Sequence, residues 1–207
     1  MNVLAKAVSI LFHPLLMASY LLLILYNGLP AALEPIRIEA FNAVLLMIFL
    51  VTFFLPVFNL IIFRVFGSIK SLQMPTRRER ILPFIFITIL YVVITYLFYA
   101  KFRINFNDNF LKILLIVDFL VVGATLTTFF MKVSVHSLAI CGMLGILVPL
   151  NKAMDHHELF YPTIALIVAA GLVMSARLQL QAHTPREVMV GAVLGFSISF
   201  VSVFLLF

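Results

Sequence analysis

A histidine, a carboxylate and an arginine lie close together between the last two apolar runs of the chain. His183 is followed four residues later by Glu187 and preceded six residues earlier by Arg177. An imidazole backed by a carboxylate can serve as a nucleophile or as an acid-base catalyst. Thr184 and Pro185 are also a typical N-cap and first helical residue, with Glu187 completing a capping box. The group predicts a reaction centre at a membrane surface, although each residue alone is more often a helix-end residue.

A second polar cluster opens another apolar run at Lys132-Val133-Ser134-Val135-His136. Ser134 is expected to cap a helix whose first backbone N–H groups attract anions, phosphate above all. Lys132 adds a point charge, and His136 adds a group that titrates near neutral pH. Alone, each would be an interfacial anchor.

A third cluster is basic and comprises Lys70, Arg77, Arg78 and Arg80. By itself it is typical of a solvated loop at the membrane surface. The three clusters together favour a site for an anionic substrate.

The elements that position these clusters are membrane helices. The chain has 207 residues, of which 64% are hydrophobic and 11% charged, and its mean hydropathy is +1.21. Runs of about 20 apolar residues, the length that spans a bilayer as a helix, lie at 7–33, 40–63, 81–100, 113–131, 133–151, 159–176 and 188–207. No run alternates polar with apolar residues as a barrel strand must. We therefore predict one all-α domain, 1–207, a polytopic bundle of six to seven transmembrane helices in the lipid bilayer.

Counting the spans alternately brings the three clusters to one face of the membrane. Gly191 and Gly195 form a small-residue pair that favours close helix packing inside the bundle over a dimer seam. The net charge of +6 does not indicate nucleic acid, because most cations lie at helix ends beside lipid headgroups. The excess of cations on the face of the clusters would put that face inside the cell, but some of these cations are candidates to hold the substrate.

These residues resemble the motifs of the type 2 phosphatidic acid phosphatase superfamily of membrane lipid phosphatases. Its third motif is Ser-Arg, five residues, His, three residues, Asp; here Arg177 and His183 match and Glu187 takes the Asp position. Its second motif, Pro-Ser-Gly-His, corresponds to Val133-Ser134-Val135-His136. Its first, Lys, six residues, Arg-Pro, is matched in spacing by Lys70 and Arg77, with Arg78 where Pro is expected.

The matches cover about two thirds of the chain and include departures from the family pattern. Ala176 replaces the Ser of the third motif, Val135 replaces a glycine near the phosphate, and Glu187 is longer than Asp. For the first motif, Arg78 and Arg80 before Pro83 are an alternative to the Lys70 spacing.

The resemblance implies a metal-independent hydrolysis of lipid phosphates with no cofactor. His183 would be the nucleophile that forms a phosphohistidine, Glu187 would orient it, and His136 would protonate the leaving oxygen. The phosphate would be held by basic residues and a helix start: Arg177, Lys132, Ser134, Arg78 or Arg80, and Lys70. Implied substrates are polyprenyl diphosphate, phosphatidic acid, phosphatidylglycerophosphate and lipid A phosphates, met on the outer face of the cytoplasmic membrane.

Two alternatives stay open: a lipid phosphotransferase using the same phosphohistidine, and a non-catalytic lipid-phosphate binding or transport protein. Outside the three clusters, Asp118 is expensive to place in a membrane run unless it is paired or protonated. The polar stretch 155–158 is expected to be a solvated loop on the opposite face. His13 and Pro14 interrupt the first run without an assigned role, and Cys141 is expected to be a small core residue.

Overall fold

The computed structural model describes residues 2–153 and 157–207, and within them the chain is helical and contains no strand. The α-helices of this part are α1 (Asn2–Leu11), α2 (Met17–Gly28), α3 (Phe41–Phe49), α4 (Leu55–Val65), α5 (Arg77–Ala100), α6 (Asn109–Phe130), α7 (Val135–Ala153), α8 (Phe160–Gln179) and α9 (Pro185–Leu206). The predicted all-α class is confirmed.

Seven helical segments of the described chain are long and apolar enough to cross a membrane, so the protein is a multi-pass membrane protein. They are Asn2–Gly28, Ile38–Val65, Arg77–Ala100, Asn109–Phe130, Val135–Lys152, Phe160–Gln179 and Pro185–Leu206. The first segment differs from the predicted run 7–33, because it begins at Asn2 and ends at Gly28. A 3-10 turn at Pro30–Leu33 follows, because Pro30 has no N–H with which to continue the helix.

The first two spans are interrupted helices. A 3-10 turn at Pro14–Leu16 separates α1 from α2, and a π-helical turn at Leu50–Phe54 joins α3 to α4. In the second span, Pro56 lacks the N–H that the Thr52 carbonyl would accept from in a regular α-helix. The Tyr91 hydroxyl donates to that carbonyl at 3.3 Å. Proline thus makes backbone acceptors available to side chains in the bundle.

Helix α7 is the centre of the bundle. It packs most extensively along α9 and also contacts α8, α6 and α2, while α5 packs on α6 and α1 on α8. Ile140, Ile146 and Leu147 of α7 are completely buried. The connectors after α4, α6 and α8 lie at one end, which we call the site end, and those after α2, α5 and α7 lie at the other.

The close pairing of α7 with α9 depends on two glycines. A Cβ at Gly191 would lie 2.5 Å from the Ser134 carbonyl oxygen, and one at Gly195 would collide with the Leu138 carbonyl. Both glycines therefore face α7 inside the bundle, where small residues allow close backbone approach. This approach brings the start of α9 beside the start of α7, and with them the two strongest sequence motifs.

Candidate functional site

The connector between α8 and α9 fixes the position of His183. The N–H of Ala182 donates to the Arg177 carbonyl at 3.2 Å, and Gln181 closes the helix with a left-handed φ of 52°. Thr184 then caps α9, with Pro185 at the first turn and Glu187 completing the capping box. The predicted helix start is confirmed, and it leaves His183 between two fixed helix ends.

One carboxylate oxygen of Glu187 serves both the helix cap and His183. Glu187 Oε2 accepts from the Thr184 N–H at 3.4 Å and lies 2.6 Å from His183 Nδ1. The Lys132 ammonium lies 3.8 Å from the same oxygen. The capping box therefore also anchors the carboxylate that orients His183.

The His183 imidazole is suited to nucleophilic chemistry. Its side chain is buried, and burial lowers its pKa below the ordinary value of 6.5. The hydrogen bond to Glu187 opposes that shift, while Arg80, Lys132 and Arg177 reinforce it. A neutral ring whose Nδ1–H donates to Glu187 keeps its Nε2 lone pair, and no described group forms a hydrogen bond to Nε2.

The start of α7 is tied to the start of α9. The Ser134 N–H donates to the Glu187 carbonyl at 3.1 Å, and Lys132 Nζ donates to the Ala182 carbonyl at 3.0 Å. Ser134 is fully buried, and its hydroxyl accepts from the Ser137 N–H at 3.4 Å and from the Ser137 hydroxyl at 3.0 Å. The predicted N-cap is confirmed, and this capping engages the Ser134 side chain.

The structure separates the basic residues that the first motif left as alternatives. Arg80 is buried; its Nε donates to the Met74 carbonyl at 2.9 Å and its Nη1 to the Val133 carbonyl at 3.1 Å. Arg78 and Lys70 are exposed and lie outside the cavity wall that the described residues form. Of these three predicted phosphate ligands, Arg80 is the one that reaches the site.

Arg177 completes the basic side of the site. Its side chain lines the same cavity as Arg80, Lys132 and His183. Its Nε is buried and has no hydrogen-bond partner among the described residues. A buried donor of this kind normally has a partner, so Arg177 has hydrogen-bonding capacity available for an anion.

His136 faces the same cavity from the first turn of α7. Its Nε2 lies 3.1 Å from the Ser9 carbonyl oxygen, and its Nδ1 is buried without a described partner. The His13 ring packs edge-on against it at a centroid distance of 5.6 Å. Sequence reasoning gave His13 no role; a His-Pro pair inside an apolar run was the available signal.

One cavity of about 800 Å³ is lined by three histidines and three of these cations: His13, His136, His183, Arg80, Lys132 and Arg177. Its polar end is formed by the cations and histidines already described, together with Lys6 of α1. Its remaining wall is mainly apolar and includes Leu21, Phe84, Val117, Met143 and Ile146 from four helices. A pocket of about 380 Å³ adjoins it at His183 and Lys132 and is also lined by Glu187.

The remaining polar candidates lie elsewhere. Asp118 is buried on α6, away from the cavity wall. The expected solvated loop falls partly outside the described residues, since 154–156 are not among them. Within the part of the chain that is described, no three His, Cys, Asp or Glu side chains are grouped as metal ligands.

Comparison of the chain with protein families, with curated proteins and with solved structures finds no match.

Proposed function

We propose that the protein is a membrane lipid phosphatase that hydrolyses a phosphate monoester or diphosphate of a lipid through a phosphohistidine. The observation that carries the proposal is the His183–Glu187 pair, with 2.6 Å between Nδ1 and Oε2, at the cationic end of a deep apolar cavity. A lipid phosphate has the matching chemistry, since it joins a compact anion to an apolar chain. The motif resemblance supports the same activity.

In the first chemical step, Nε2 of His183 attacks phosphorus. The Nε2–P bond forms while the P–O bond to the leaving group breaks, and His136, protonated beforehand, gives its proton to the leaving oxygen. Glu187 accepts the Nδ1–H bond throughout and stabilises the ring as it becomes positively charged.

In the second step, water attacks phosphorus and the P–N bond breaks. His136 takes a proton from the attacking water, inorganic phosphate leaves, and His183 returns to its neutral form. Overall, a lipid phosphate monoester and water give a lipid alcohol and inorganic phosphate. A lipid diphosphate and water give a lipid monophosphate and inorganic phosphate.

The cations stabilise the phosphoryl oxygens as charge spreads over them. Arg80 is already oriented by the Met74 and Val133 carbonyls, so little side-chain ordering is needed when substrate binds. Arg177 brings its unpartnered Nε and Lys132 a point charge. Together with Lys6 these cations outnumber the carboxylate of Glu187, which leaves the site positive and suited to a dianionic or more highly charged headgroup.

The substrates implied by the resemblance stay as candidates: polyprenyl diphosphate, phosphatidic acid, phosphatidylglycerophosphate and lipid A phosphates. The proposal places the site end on the outer face of the cytoplasmic membrane, as in the family it resembles. The exposed Arg78 offers a test of that placement, because the natural Cys141 is buried and gives little background. Labelling of Arg78→Cys by a membrane-impermeant maleimide in intact cells is expected, and protection until lysis would contradict the placement.

The function is tested with purified protein in detergent containing EDTA, against a panel of the four lipid phosphates. Phosphate release by the parent and not by His183→Ala is the expected result. Transfer of phosphate to a second lipid instead of water would identify the phosphotransferase alternative. Equal lipid-phosphate binding by both proteins with no turnover in the parent would contradict the enzyme proposal and favour the binding or transport protein.

A further inference from the structure

The break between α1 and α2 follows from the His13-Pro14 pair. A residue before proline is restricted to extended backbone, and His13 has φ −65° and ψ 134°. The helical bonds of α1 continue as far as the Phe12 N–H, which donates to the Val8 carbonyl at 2.9 Å. The His13 N–H then turns to the Ile10 carbonyl at 3.2 Å. The Ser9 carbonyl therefore lacks the fourth-residue N–H partner that a continuous helix would supply.

The Ser9 carbonyl accepts a side chain from the site instead. His136 Nε2 lies 3.1 Å from it across 127 residues of sequence, and a carbonyl can only accept, so Nε2 carries the hydrogen. His13 holds its ring edge-on to His136, and its own Nδ1 accepts from the Leu15 N–H at 3.4 Å. The turn that releases the carbonyl thus also supplies a packing partner for the imidazole.

The remaining nitrogen of His136 is buried and unpaired within the described chain. The residue is 9% exposed, and its Nδ1 has no hydrogen-bond partner among the described residues. A buried acceptor without a partner is costly, and such groups in native structures often mark functional positions. His136 and His13 both line the cavity.

We propose that the His13-Pro14 break is a positioning element of the site, in which the Ser9 carbonyl holds His136 by Nε2–H and so leaves Nδ1 as its basic nitrogen. Nδ1 is then the atom that carries the proton to the leaving oxygen and regains it from water. This catalytic consequence rests on the function proposed above, whereas the tautomer assignment stands without it. His13 is a positioning residue here, because it acts through His136.

The arrangement parallels that of His183. There a carboxylate at a helix start fixes Nδ1–H and leaves Nε2 free, whereas at His136 a carbonyl at a helix end fixes Nε2–H and leaves Nδ1 without a described partner. The histidine's hydrogen-bond partner sets the tautomer in both cases. Of the two rings that line the cavity, His183 therefore has Nε2 as its unprotonated nitrogen and His136 has Nδ1.

The tautomer is measured by nitrogen NMR on ¹⁵N-histidine-labelled protein in nanodiscs, about two pH units above the ordinary histidine pKa of ~6.5, where neutral rings dominate. The signal of His136 is assigned by its loss in His136→Gln. We expect the parent to show His136 protonated at Nε2. Protonation at Nδ1 in the parent overturns the proposal. This measurement is made on the parent protein, so it does not depend on how a variant at Pro14 folds.

The matched pair of variants is Pro14→Ala and Pro30→Ala, since each proline begins a 3-10 turn after a membrane helix and only Pro14 adjoins the site. With the proline ring removed in Pro14→Ala, α1 can continue, the His13 N–H can take the Ser9 carbonyl, and His136 loses its fixed tautomer. We expect Pro14→Ala to give mixed tautomers and Pro30→Ala to match the parent. An unchanged His136 signal in folded Pro14→Ala would overturn the proposal.

Turnover supplies the catalytic readout. Pro14→Ala is expected to lower kcat by about ten- to a hundredfold with KM within about twofold, because a misplaced acid-base group affects the chemical step more than binding. Altered tautomers with unchanged kcat would overturn the catalytic role. No turnover by the parent on any lipid, with Nε2 protonated, would instead refute the proposed function and leave the positioning of His136 intact.

Discussion

The two ends of the bundle contain similar polar residues in different environments. At the site end, Arg80 and His183 are buried and surround a cavity. At the opposite end, Lys101 and Arg103 are exposed, and Lys112 lies 5.0 Å above the Phe207 ring. Charged residues at membrane helix ends anchor by default, so their presence alone does not mark a site. The site end differs because buried Arg80 and half-buried Lys132 and Arg177 line one cavity and outnumber their counter-charge, Glu187.

Hydrogen bonding also differs between the two ends. At the opposite end they close connectors: the Asn105 N–H donates to Asp108 at 2.7 Å, and Asn109 donates to the Ala31 carbonyl at 3.0 Å. At the site end Nδ1 of His136 and Nε of Arg177 are buried without described partners. Asn151 Oδ1 at the opposite end is also buried without a described partner, but Asn151 lies outside the cavity wall, whereas His136 and Arg177 both line the cavity. Unpaired groups that line a cavity are the arrangement expected where a ligand binds.

The largest expected effect is that of the nucleophile. His183→Ala should lower turnover by more than about a thousandfold, since loss of a covalent catalyst removes the whole pathway. His136→Ala should cost about a hundred- to ten-thousandfold as loss of an acid-base group. Phosphate release measures both, and Lys112→Ala at the opposite end is the control. Comparable losses of phosphate release in all three variants would show that the site end is no more important for turnover than the opposite end.

The next effect separates two neighbouring arginines. Arg80→Ala should lower kcat by about a hundred- to a thousandfold, the cost of one preorganised donor to a transition-state oxyanion. Arg78→Ala should change it by less than about threefold, because that side chain is exposed. Thermal unfolding of both variants checks that the fold is retained. An equal loss of kcat in the two variants would show that the loop contributes only its overall positive charge, and that the position of each arginine does not matter.

The contact that joins the motifs can be tested by stability. Gly195→Ala should destabilise the protein by about 1–3 kcal/mol or more, because the added methyl group collides with the Leu138 carbonyl. Gly171→Ala on α8 is the matched control, since its Cβ would meet no described atom within 4 Å. That substitution should be neutral or stabilising by up to about 1 kcal/mol. Equal unfolding temperatures for the two variants would contradict the close packing of α7 and α9.

The smallest effect is a shift in pH dependence. Burial and nearby cations lower the pKa of His183, so its neutral form persists below pH 6.5 and activity should extend into that acid range. Lys132→Met removes one cation, which raises the pKa of His183 and moves the acid limb of kcat/KM to higher pH. The expected shift is about one pH unit or less, because Lys132 is partly exposed and solvent screens its charge. An acid limb that stays in place or moves to lower pH would contradict the electrostatic effect of Lys132 on His183.

Patterns of neighbouring residues in the sequence predicted the membrane spans and one helix start. Hydropathy predicted the seven spans, and the Thr184 to Glu187 spacing predicted the start of α9. The spacing did not distinguish Arg78 from Arg80, because both fit a basic pair before Pro83. In the folded chain they begin α5 two residues apart, about 200° around the helix, so they face different surroundings. Only the position of α5 in the bundle decides which one is buried.

The hydrogen bond from His136 to the first span could not be predicted from local sequence patterns. Pro14 signalled a break, but the use of that break depends on His136, which lies far away in sequence. A helix that ends in an apolar run has many candidate partners for its free carbonyl. The partner is fixed by the packing of α1 on α8 and of α7 at the centre of the bundle.

Detection of the phosphoenzyme tests directly whether His183 is the nucleophile. Parent protein, His183→Ala and Lys112→Ala are mixed with a phosphate-labelled lipid substrate for a single turnover, quenched in alkali to preserve phosphohistidine, and mapped by mass spectrometry. We expect acid-labile phosphate on His183 in the parent and in Lys112→Ala, and none in His183→Ala. Turnover by the parent with the label on another residue, or persistent label in His183→Ala, would contradict the assignment of His183 as the nucleophile.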